Sequence, residues 1–214
     1  MIHIQKFTFN SIQENTYIVY SNELDAIIVD PGCYFKQEEN QLEEFVLQNK
    51  LKIHAIINTH AHIDHVLGNQ FCCSCFNVPL YLHSYDLELL KAVDSYAHLY
   101  GMEMYKTSPL PDYDLNGVKD LNFGTLYIKV IFGPGHSPGH VALYFSNENI
   151  VISGDILFKG SFGRVDLPGG DLDTLKNTIY THFFSLPDQT KIYSGHGEET
   201  TIEVEKKNNY ILQF

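Results

Sequence analysis

The spacing of two strand-like segments constrains the fold more than any other feature of this sequence. Residues 126–132 and 141–145 are rich in β-branched and aromatic residues, which favours strands. Only residues 133–140 separate them, whereas a parallel connection needs about a dozen residues or more. The two segments are therefore expected to pair antiparallel. This argues against a single doubly wound parallel sheet and favours mixed sheets.

Both halves of the chain show a similar alternation of strands and helices. The remaining strands are predicted at 2–9, 16–20, 26–29, 55–57, 80–82, 150–153 and 191–193. Helices are predicted at 37–50, 65–76, 85–100, 171–184 and 202–208. Prolines and glycines within 101–119 indicate a linker or surface loop. Strands grouped in this way fit two mixed sheets packed face to face, with helices outside, in a single domain over 1–214.

A run of polar residues, HAHIDH at 60–65, directly follows the predicted strand 55–57. In an extended segment, residues two apart point to the same side, so His60, His62 and Asp64 can converge. His65 comes where the chain turns into a helix and can reach a neighbouring point. These side chains are costly to bury unless something binds them, and they are good ligands for zinc, iron or manganese. The run therefore predicts a metal site.

Three further candidate ligands follow apolar strands at glycine turns. They are His136 in Gly-Pro-Gly-His, Asp155 in Ser-Gly-Asp and His196 in Ser-Gly-His-Gly. A turn explains each of them alone, but together they place ligand-type side chains at three strand ends, where open α/β architectures collect functional residues. We expect His140 to begin a strand and to pack behind the site.

These motifs resemble those of the metallo-β-lactamase superfamily over nearly the whole chain. The resemblance rests on the run at 60–65, on His136, Asp155 and His196, and on Val-Asp-Pro-Gly at 29–32, which is similar to the family's first motif. It implies an α/β (α+β) fold, a four-layer αβ/βα sandwich of two mixed sheets with outer helices. It also implies two divalent metal ions, with zinc expected and iron or manganese as alternatives.

The resemblance also implies a role for each matching position. The first ion would be held by His60, His62 and His136, the second by Asp64, His65 and His196, and Asp155 would bridge the two. Asp64 and Asp155 would be the catalytic residues, with Asp64 orienting a hydroxide. Asp30 would orient a ligand imidazole from behind, although an aspartate before proline is equally well explained as a turn residue.

Within the superfamily, residues 135–140 and 163–171 resemble the short glyoxalase II-like group, which hydrolyses acyl-glutathione thioesters. Full-length glyoxalases II carry a helical C-terminal domain that helps to bind glutathione, and this chain ends at Phe214. The family's lysine and tyrosine contacts are replaced by Arg164 and Asp166. We therefore expect thioester hydrolysis with weak binding of glutathione. Arg164 is expected either to contact a substrate carboxylate or to form a surface salt bridge.

The implied mechanism uses a metal-bound hydroxide, because coordination lowers the pKa of water to about 7. A metal would also polarise the thioester carbonyl, and the thiolate is already a good leaving group. One alternative is an iron-dependent persulfide dioxygenase, an oxidoreductase with the same ligands. A second is another hydrolase of the superfamily, such as a lactonase or a phosphodiesterase. A non-enzymatic metal-binding module is disfavoured, because a structural site is closed and does not need two ions.

The charge of the chain limits its partners. The net charge is −12 and there is no basic stretch, so we expect neither a nucleic acid nor an anionic membrane as a partner. The expected partner is a small-molecule substrate. No signal peptide is visible, which predicts the cytoplasm. The oligomeric state is left open. Cys72 and Cys75 form a CxxC motif, but without a second ligand pair nearby we expect small apolar helix residues there.

Overall fold

The computed structural model describes residues 1–214. The chain forms two compact units. The first comprises Met1–Asn116 with Asn122–Leu126, and the second comprises Gly117–Leu121 with Tyr127–Phe214. The expectation of a single domain over 1–214 stays a prediction. None of the helices combines the length and the apolar character that crossing a bilayer requires.

The first sheet has six strands in the order of the chain. They are β1 (Ile2–Phe9), β2 (Glu14–Ser21), β3 (Asp25–Val29), β4 (Lys52–Ile57), β5 (Leu80–Leu82) and β6 (Tyr113–Asp114). β1, β2 and β3 pair antiparallel, and β3 to β6 pair parallel. Because parallel strands end at the same edge, the residues that follow Val29 and Ile57 are brought side by side.

Helix α1 (Lys36–Gln48) connects β3 to β4 and covers the sheet with one apolar face. Leu42 and Val46 lie in a core cluster with residues of β2, β3 and β4. The helix begins where the Glu38 carboxylate accepts hydrogen bonds from the backbone N–H groups of Tyr34 and Phe35, at 2.8 and 3.0 Å. The predicted helix at 37–50 is confirmed.

The predicted helix at 65–76 is broken in two in the structure. Helices α2 (Ile63–Val66) and α3 (Asn69–Phe76) are separated at Gly68, whose N–H donates to the Pro31 carbonyl at 2.7 Å. A Cβ at Gly68 would lie 2.4 Å from Cys33 Sγ, so no side chain fits there. This tertiary contact is what local periodicity misses. The next helix, α4 (Leu87–Tyr96), lies within the predicted 85–100.

The second sheet also has six strands, in the order β14-β13-β10-β9-β8-β7. Together with a small hairpin, β11–β12, they comprise β7 (Asp120–Phe123), β8 (Leu126–Phe132), β9 (Val141–Phe145), β10 (Ile150–Gly154), β11 (Leu157–Phe158), β12 (Ser161–Phe162), β13 (Lys191–Ser194) and β14 (Thr200–Thr201). β8 and β9 pair antiparallel from Phe132 opposite Val141, which confirms the prediction from their short connection. β10 and β13 pair parallel.

Two helices complete the second unit. α5 (Leu172–Thr178) begins where the Asp171 carboxylate accepts from Thr174 N–H, and it runs into a π-helical turn, Ile179–Phe183. α6 (Ile202–Asn208) matches its predicted bounds. Leu175, Ile179 and Phe183 are fully buried in the core cluster of this unit. The predicted helix at 171–184 is therefore confirmed, apart from the change of helix type.

The short strands were not predicted. β6 lies inside 101–119, which the sequence indicates as a loop, and it pairs with β5. β7, β11, β12 and β14 are also too short to show a periodic signal. Strands of this length depend on the partner that they pair with, and a local pattern does not identify that partner.

Candidate functional site

The polar run after β4 is extended only as far as His62, so the extended geometry predicted for His60 and His62 is confirmed, whereas Asp64 lies in a helix and the extended geometry predicted for it is wrong. The Ala61 N–H donates to Asp86 Oδ2 at 3.0 Å, and α2 begins directly after His62. The ring centroids of His60 and His62 are 4.8 Å apart, and those of His60 and His65 are 4.1 Å apart. His60 and His65 are fully buried. The structure thus brings the predicted imidazoles of this run together.

Asp64 lies on the first turn of α2, beside the same imidazoles. Its Oδ2 is 3.7 Å from Nε2 of His65, and its side chain is largely buried. It is the one predicted carboxylate ligand in the first unit. The short helix that follows the extended run explains how two consecutive residues, Asp64 and His65, both face the same region.

Asp30 lies behind these imidazoles, at the end of β3. Its carboxylate accepts hydrogen bonds from Thr59 N–H and Thr59 Oγ1, both at 2.6 Å, and lies 3.1 Å from His65 Nδ1. Because Thr59 Oγ1 donates to Asp30, it is available to accept from His60 Nδ1 at 3.0 Å. One carboxylate thus orients two imidazole rings. The contact with His65 is the one predicted for Asp30, and the ligand role of His65 stays a prediction.

Glu14 is a third carboxyl group in this region, and it is not among the site residues predicted from the sequence. It is fully buried at the start of β2, where Oε2 accepts from Thr16 Oγ1 at 2.8 Å and Oε1 lies 3.9 Å from His65 Nδ1. Burial raises the pKa of this carboxyl well above its usual range, and the nearby His65 opposes the shift. The only sequence signal is an acidic residue at the head of an otherwise apolar strand.

Gly32 allows these groups to pack closely. A Cβ there would lie 2.0 Å from Glu14 Oε2 and 2.6 Å from the Asp64 carbonyl oxygen. The Asn10 side-chain amide donates to the carbonyls of Gly32 and Asp64 at 3.0 and 3.2 Å. Asn10 belongs to the turn between β1 and β2, so this turn helps to fix the backbone of Asp64.

The second unit brings its own predicted ligands together. Asp155 and His196 follow β10 and β13, which are parallel neighbours and therefore end at the same edge. Asp155 Oδ2 is 3.6 Å from His196 Nε2 and also 3.6 Å from His136 Nε2. His136 Nδ1 lies 2.7 Å from the Arg164 carbonyl oxygen, to which it donates when that nitrogen carries the proton. That tautomer leaves Nε2 as the basic nitrogen facing Asp155.

His140 and Gly163 lie directly beside this group of proposed ligands. His140, directly before β9, is fully buried, and its Nε2 accepts from the Asp155 N–H at 3.0 Å. This agrees with the expected position of His140 behind the site. Gly163 is not among the site residues predicted from the sequence, yet a Cβ there would lie 1.9 Å from the Asp155 carbonyl oxygen and 2.8 Å from His136 Nδ1. Only glycine fits at that position.

The spacing of carboxylate and imidazole is almost the same in both units. Three such pairs lie 3.6 or 3.7 Å apart, which is beyond a hydrogen bond. Two ligands that each lie about 2.1 Å from a tetrahedral ion are separated by about 3.4 Å. The donor atoms, imidazole nitrogen and carboxylate oxygen, suit zinc, iron and manganese. The residues present therefore fit divalent metal ions.

A family model described as "Metallo-beta-lactamase superfamily" matches residues 11–196. The chain belongs to this superfamily. It is 30% identical to the hydroxyacylglutathione hydrolase GloC of Haemophilus influenzae, over 99% of this chain and 98% of the relative. Membership of this superfamily supports a metal-dependent enzyme of the hydrolase type, and the fold implies divalent metal ions.

Two solved structures of the superfamily are similar in sequence as well as in fold. The BLEG-1 B3 metallo-β-lactamase is 34% identical, with a TM-score of 0.91, over 99% of this chain and 100% of the other. TTHA1623, in a di-iron-bound form, is 37% identical, with a TM-score of 0.85, over 96% of this chain and 98% of the other. The predicted metallo-β-lactamase fold, with two large mixed sheets and helices, is confirmed.

The Arg164 side chain forms a surface salt bridge with Asp166. Its Nε and a terminal nitrogen each lie 2.7 Å from a carboxylate oxygen of Asp166, and both side chains are exposed. This pairing lowers the pKa of Asp166 to about 2. The structure thus shows the salt bridge that was one of the two expectations for Arg164, and a substrate contact stays a prediction.

The cysteines are free thiols with different environments. Cys72 on α3 is fully buried, whereas Cys75 is exposed. Burial raises the pKa of the Cys72 thiol, and the neighbouring Cys33 adds to the shift. Cys72 therefore fits the expected small apolar helix residue of the core.

Proposed function

We propose that this superfamily member is a two-metal hydrolase that cleaves small thioesters of the acyl-glutathione type. The observation that carries the proposal is the repeated spacing of carboxylate and imidazole in the two units, 3.7 Å in the first and 3.6 Å in the second. The di-iron form of TTHA1623 supports two ions, and the name of GloC supports the thioester.

The proposed ligands divide as the family pattern suggests. His60, His62 and His136 would hold one ion, Asp64, His65 and His196 would hold the other, and Asp155 would be shared between them. Asp30 supports this set from behind, because it fixes the orientation of His65 directly and that of His60 through Thr59. Hydrogen-bonded partners of this kind set the orientation and basicity of ligand imidazoles.

Bound divalent ions would supply water activated at neutral pH and a Lewis acid for the substrate carbonyl. The side chains of the protein would orient the attacking water. Asp64 offers a carboxylate oxygen that can accept a hydrogen bond from the attacking water, and its backbone is held by Asn10. The leaving thiolate is stable near neutral pH, so no protein acid is needed for this step. The burial of His60 and His65 excludes bulk water from one side of the site.

The first experiment tests the metal stoichiometry. We expect about two ions per chain in the fully loaded protein, and about one in Asp64→Ala, with most thioester hydrolysis lost and the fold retained. Asp188→Ala, an exposed aspartate in the second unit, serves as the control and should keep both ions. One iron per chain, with oxygen consumed in the presence of glutathione persulfide, would instead favour a dioxygenase.

The second experiment tests the substrate. Steady-state rates are measured for lactoylglutathione, a cephalosporin, a simple lactone and a phosphodiester. We expect the thioester to give the highest kcat/KM. The cephalosporin is included because a 34% identical structure is named a β-lactamase. No thioester cleavage, with clear turnover of another substrate, would refute the thioesterase assignment and leave the two-metal site as proposed.

A further inference from the structure

Four tyrosines lie near the polar run, on the side of α4. Tyr34, Tyr96 and Tyr105 pack against a buried cluster that includes Ala61 and Ile63, the residues that alternate with the proposed ligands. Tyr100 stands edge-on to Tyr96, with ring centroids 5.8 Å apart. Three of these tyrosines thus pack against the cluster that contains Ala61 and Ile63, and the four together form an aromatic wall near the segment that carries His60, His62 and Asp64.

The hydroxyl groups of this wall are used differently. Tyr34 Oη accepts from the Met104 N–H at 2.9 Å, and Tyr105 Oη accepts from the Ser108 N–H at 3.0 Å. These two hydroxyls hold the loop after α4 in place. Tyr96 makes no hydrogen bond through its hydroxyl to any part of the chain, although its ring is packed into the cluster. Its hydroxyl is therefore available to a ligand.

The position of Tyr96 relates this hydroxyl to Asp64. Tyr96 is the last residue of α4, and α4 packs against α2, which carries Asp64. Burial raises the pKa of Tyr96 well above its usual range. The phenol thus stays neutral, and it belongs to the helix that packs against the one carrying the carboxylate proposed to orient the attacking water.

We propose that Tyr96 is a specificity-determining residue whose hydroxyl recognises the 2-hydroxyl group of a hydroxyacyl thioester. This rests on the proposed function, in which the carbonyl to be attacked lies next to Asp64. The 2-hydroxyl is one carbon away from that carbonyl. On the thiol side, the first polar groups of glutathione lie several bonds beyond the sulfur. A neutral phenol can donate to a hydroxyl group and also accept from it.

The test compares two thioesters that differ only in the 2-hydroxyl, lactoylglutathione and propionylglutathione. In Tyr96→Phe we expect kcat/KM for the lactoyl ester to fall by about three- to tenfold, as for the loss of one neutral hydrogen bond. The propionyl ester should stay within about twofold of wild type. Tyr105→Phe is the matched control. Its hydroxyl is used inside the chain, so the ratio of the two rates should stay that of wild type.

Metal content and thermal stability are measured for each variant, so that a loss of rate is not mistaken for a loss of ions or of fold. Equal losses on both thioesters in Tyr96→Phe, or no loss on either, would overturn the role of Tyr96 while the thioesterase assignment stands. A wild-type protein that cleaves neither thioester would overturn the proposed function, and the role of Tyr96 with it.

Discussion

Replacing Asp30 with asparagine tests whether this buried carboxylate prepares the imidazoles for metal. Asp30 is 1% exposed and faces three donors, two on Thr59 and one on His65. The amide keeps the shape but has one acceptor oxygen in place of two, so at least one donor is left unpaired. Each hydrogen bond to a charged group contributes about 1.5–3 kcal/mol. We therefore expect Asp30→Asn to lower the free energy of unfolding by about 2–4 kcal/mol.

The effect on metal binding is the sharper test. Loss of a supporting partner of a ligand imidazole typically lowers metal affinity by about 10–100-fold. For Asp30→Asn we expect a loss in this range for the ion held by His65, and a smaller one for the ion held by His60, which is reached through Thr59. The assay is competition with a chromophoric chelator during stepwise loading with cobalt or zinc, with the unfolding free energy measured by denaturant titration.

Asp25→Asn is the matched control, since it removes a hydrogen-bonded carboxylate elsewhere in the first unit. The Asp25 carboxylate accepts hydrogen bonds from His54, at 2.8 Å, and from Thr125, and no proposed metal ligand contacts it. The Asp25→Asn variant should change the free energy of unfolding but not the affinity for either metal ion. If both affinities in Asp30→Asn stay within about twofold of wild type, Asp30 does not support ligand imidazoles and is only a structural residue at the end of β3.

The remaining predictions concern residues outside the proposed ligand set. A triple variant without the cysteines of α3 should keep its metal content and its rate within a small factor, because no second ligand pair lies nearby; the changes are Cys72→Ser, Cys73→Ala and Cys75→Ser. Loss of a metal equivalent would contradict this. The hydrogen bond from His54 and those from Thr125 lower the pKa of Asp25 to about 2. The contribution of ionised Asp25 to the free energy of unfolding should be complete above about pH 4 and disappear between about pH 4 and pH 2. Denaturant unfolding curves of Asp25→Asn should not show this loss. Arg164→Ala should raise KM for lactoylglutathione by up to about tenfold if Arg164 contacts the substrate, and Arg164→Lys should recover part of the loss. An unchanged KM in Arg164→Ala would contradict a substrate contact of Arg164.

Much of the fold follows from short-range arguments. The connection 133–140 is too short for a crossover, so the antiparallel pairing of β8 and β9 could be predicted without knowledge of the rest. The alternation of His60 and His62 in an extended segment also follows from strand geometry alone. Asp30 could be singled out only through the family motif, because its contact with His65 joins residues far apart in the chain.

The parts that could not be predicted depend on tertiary packing. Nothing local to Glu14 distinguishes a fully buried carboxyl from the exposed acid that usually occupies such a position. Likewise, a glycine is required at the break between α2 and α3 because Cys33 packs against Gly68, and at position 163 because the backbone of Asp155 packs against Gly163. Each of these depends on which segments meet in space, and one segment read alone does not contain that information.

The glycines beside the proposed ligands have a consequence for how this protein can vary. At Gly32, Gly68 and Gly163, the nearest atoms leave no room for even one methyl group, and most of them belong to the backbone or to a buried side chain. In a saturation library selected for metal-dependent activity, these positions should tolerate as little change as the ligands themselves. Exposed positions on the loop after α4, such as Leu99 and Met104, carry no such restriction. New substrate preferences should therefore arise through that loop sooner than through the framework that surrounds the ligands.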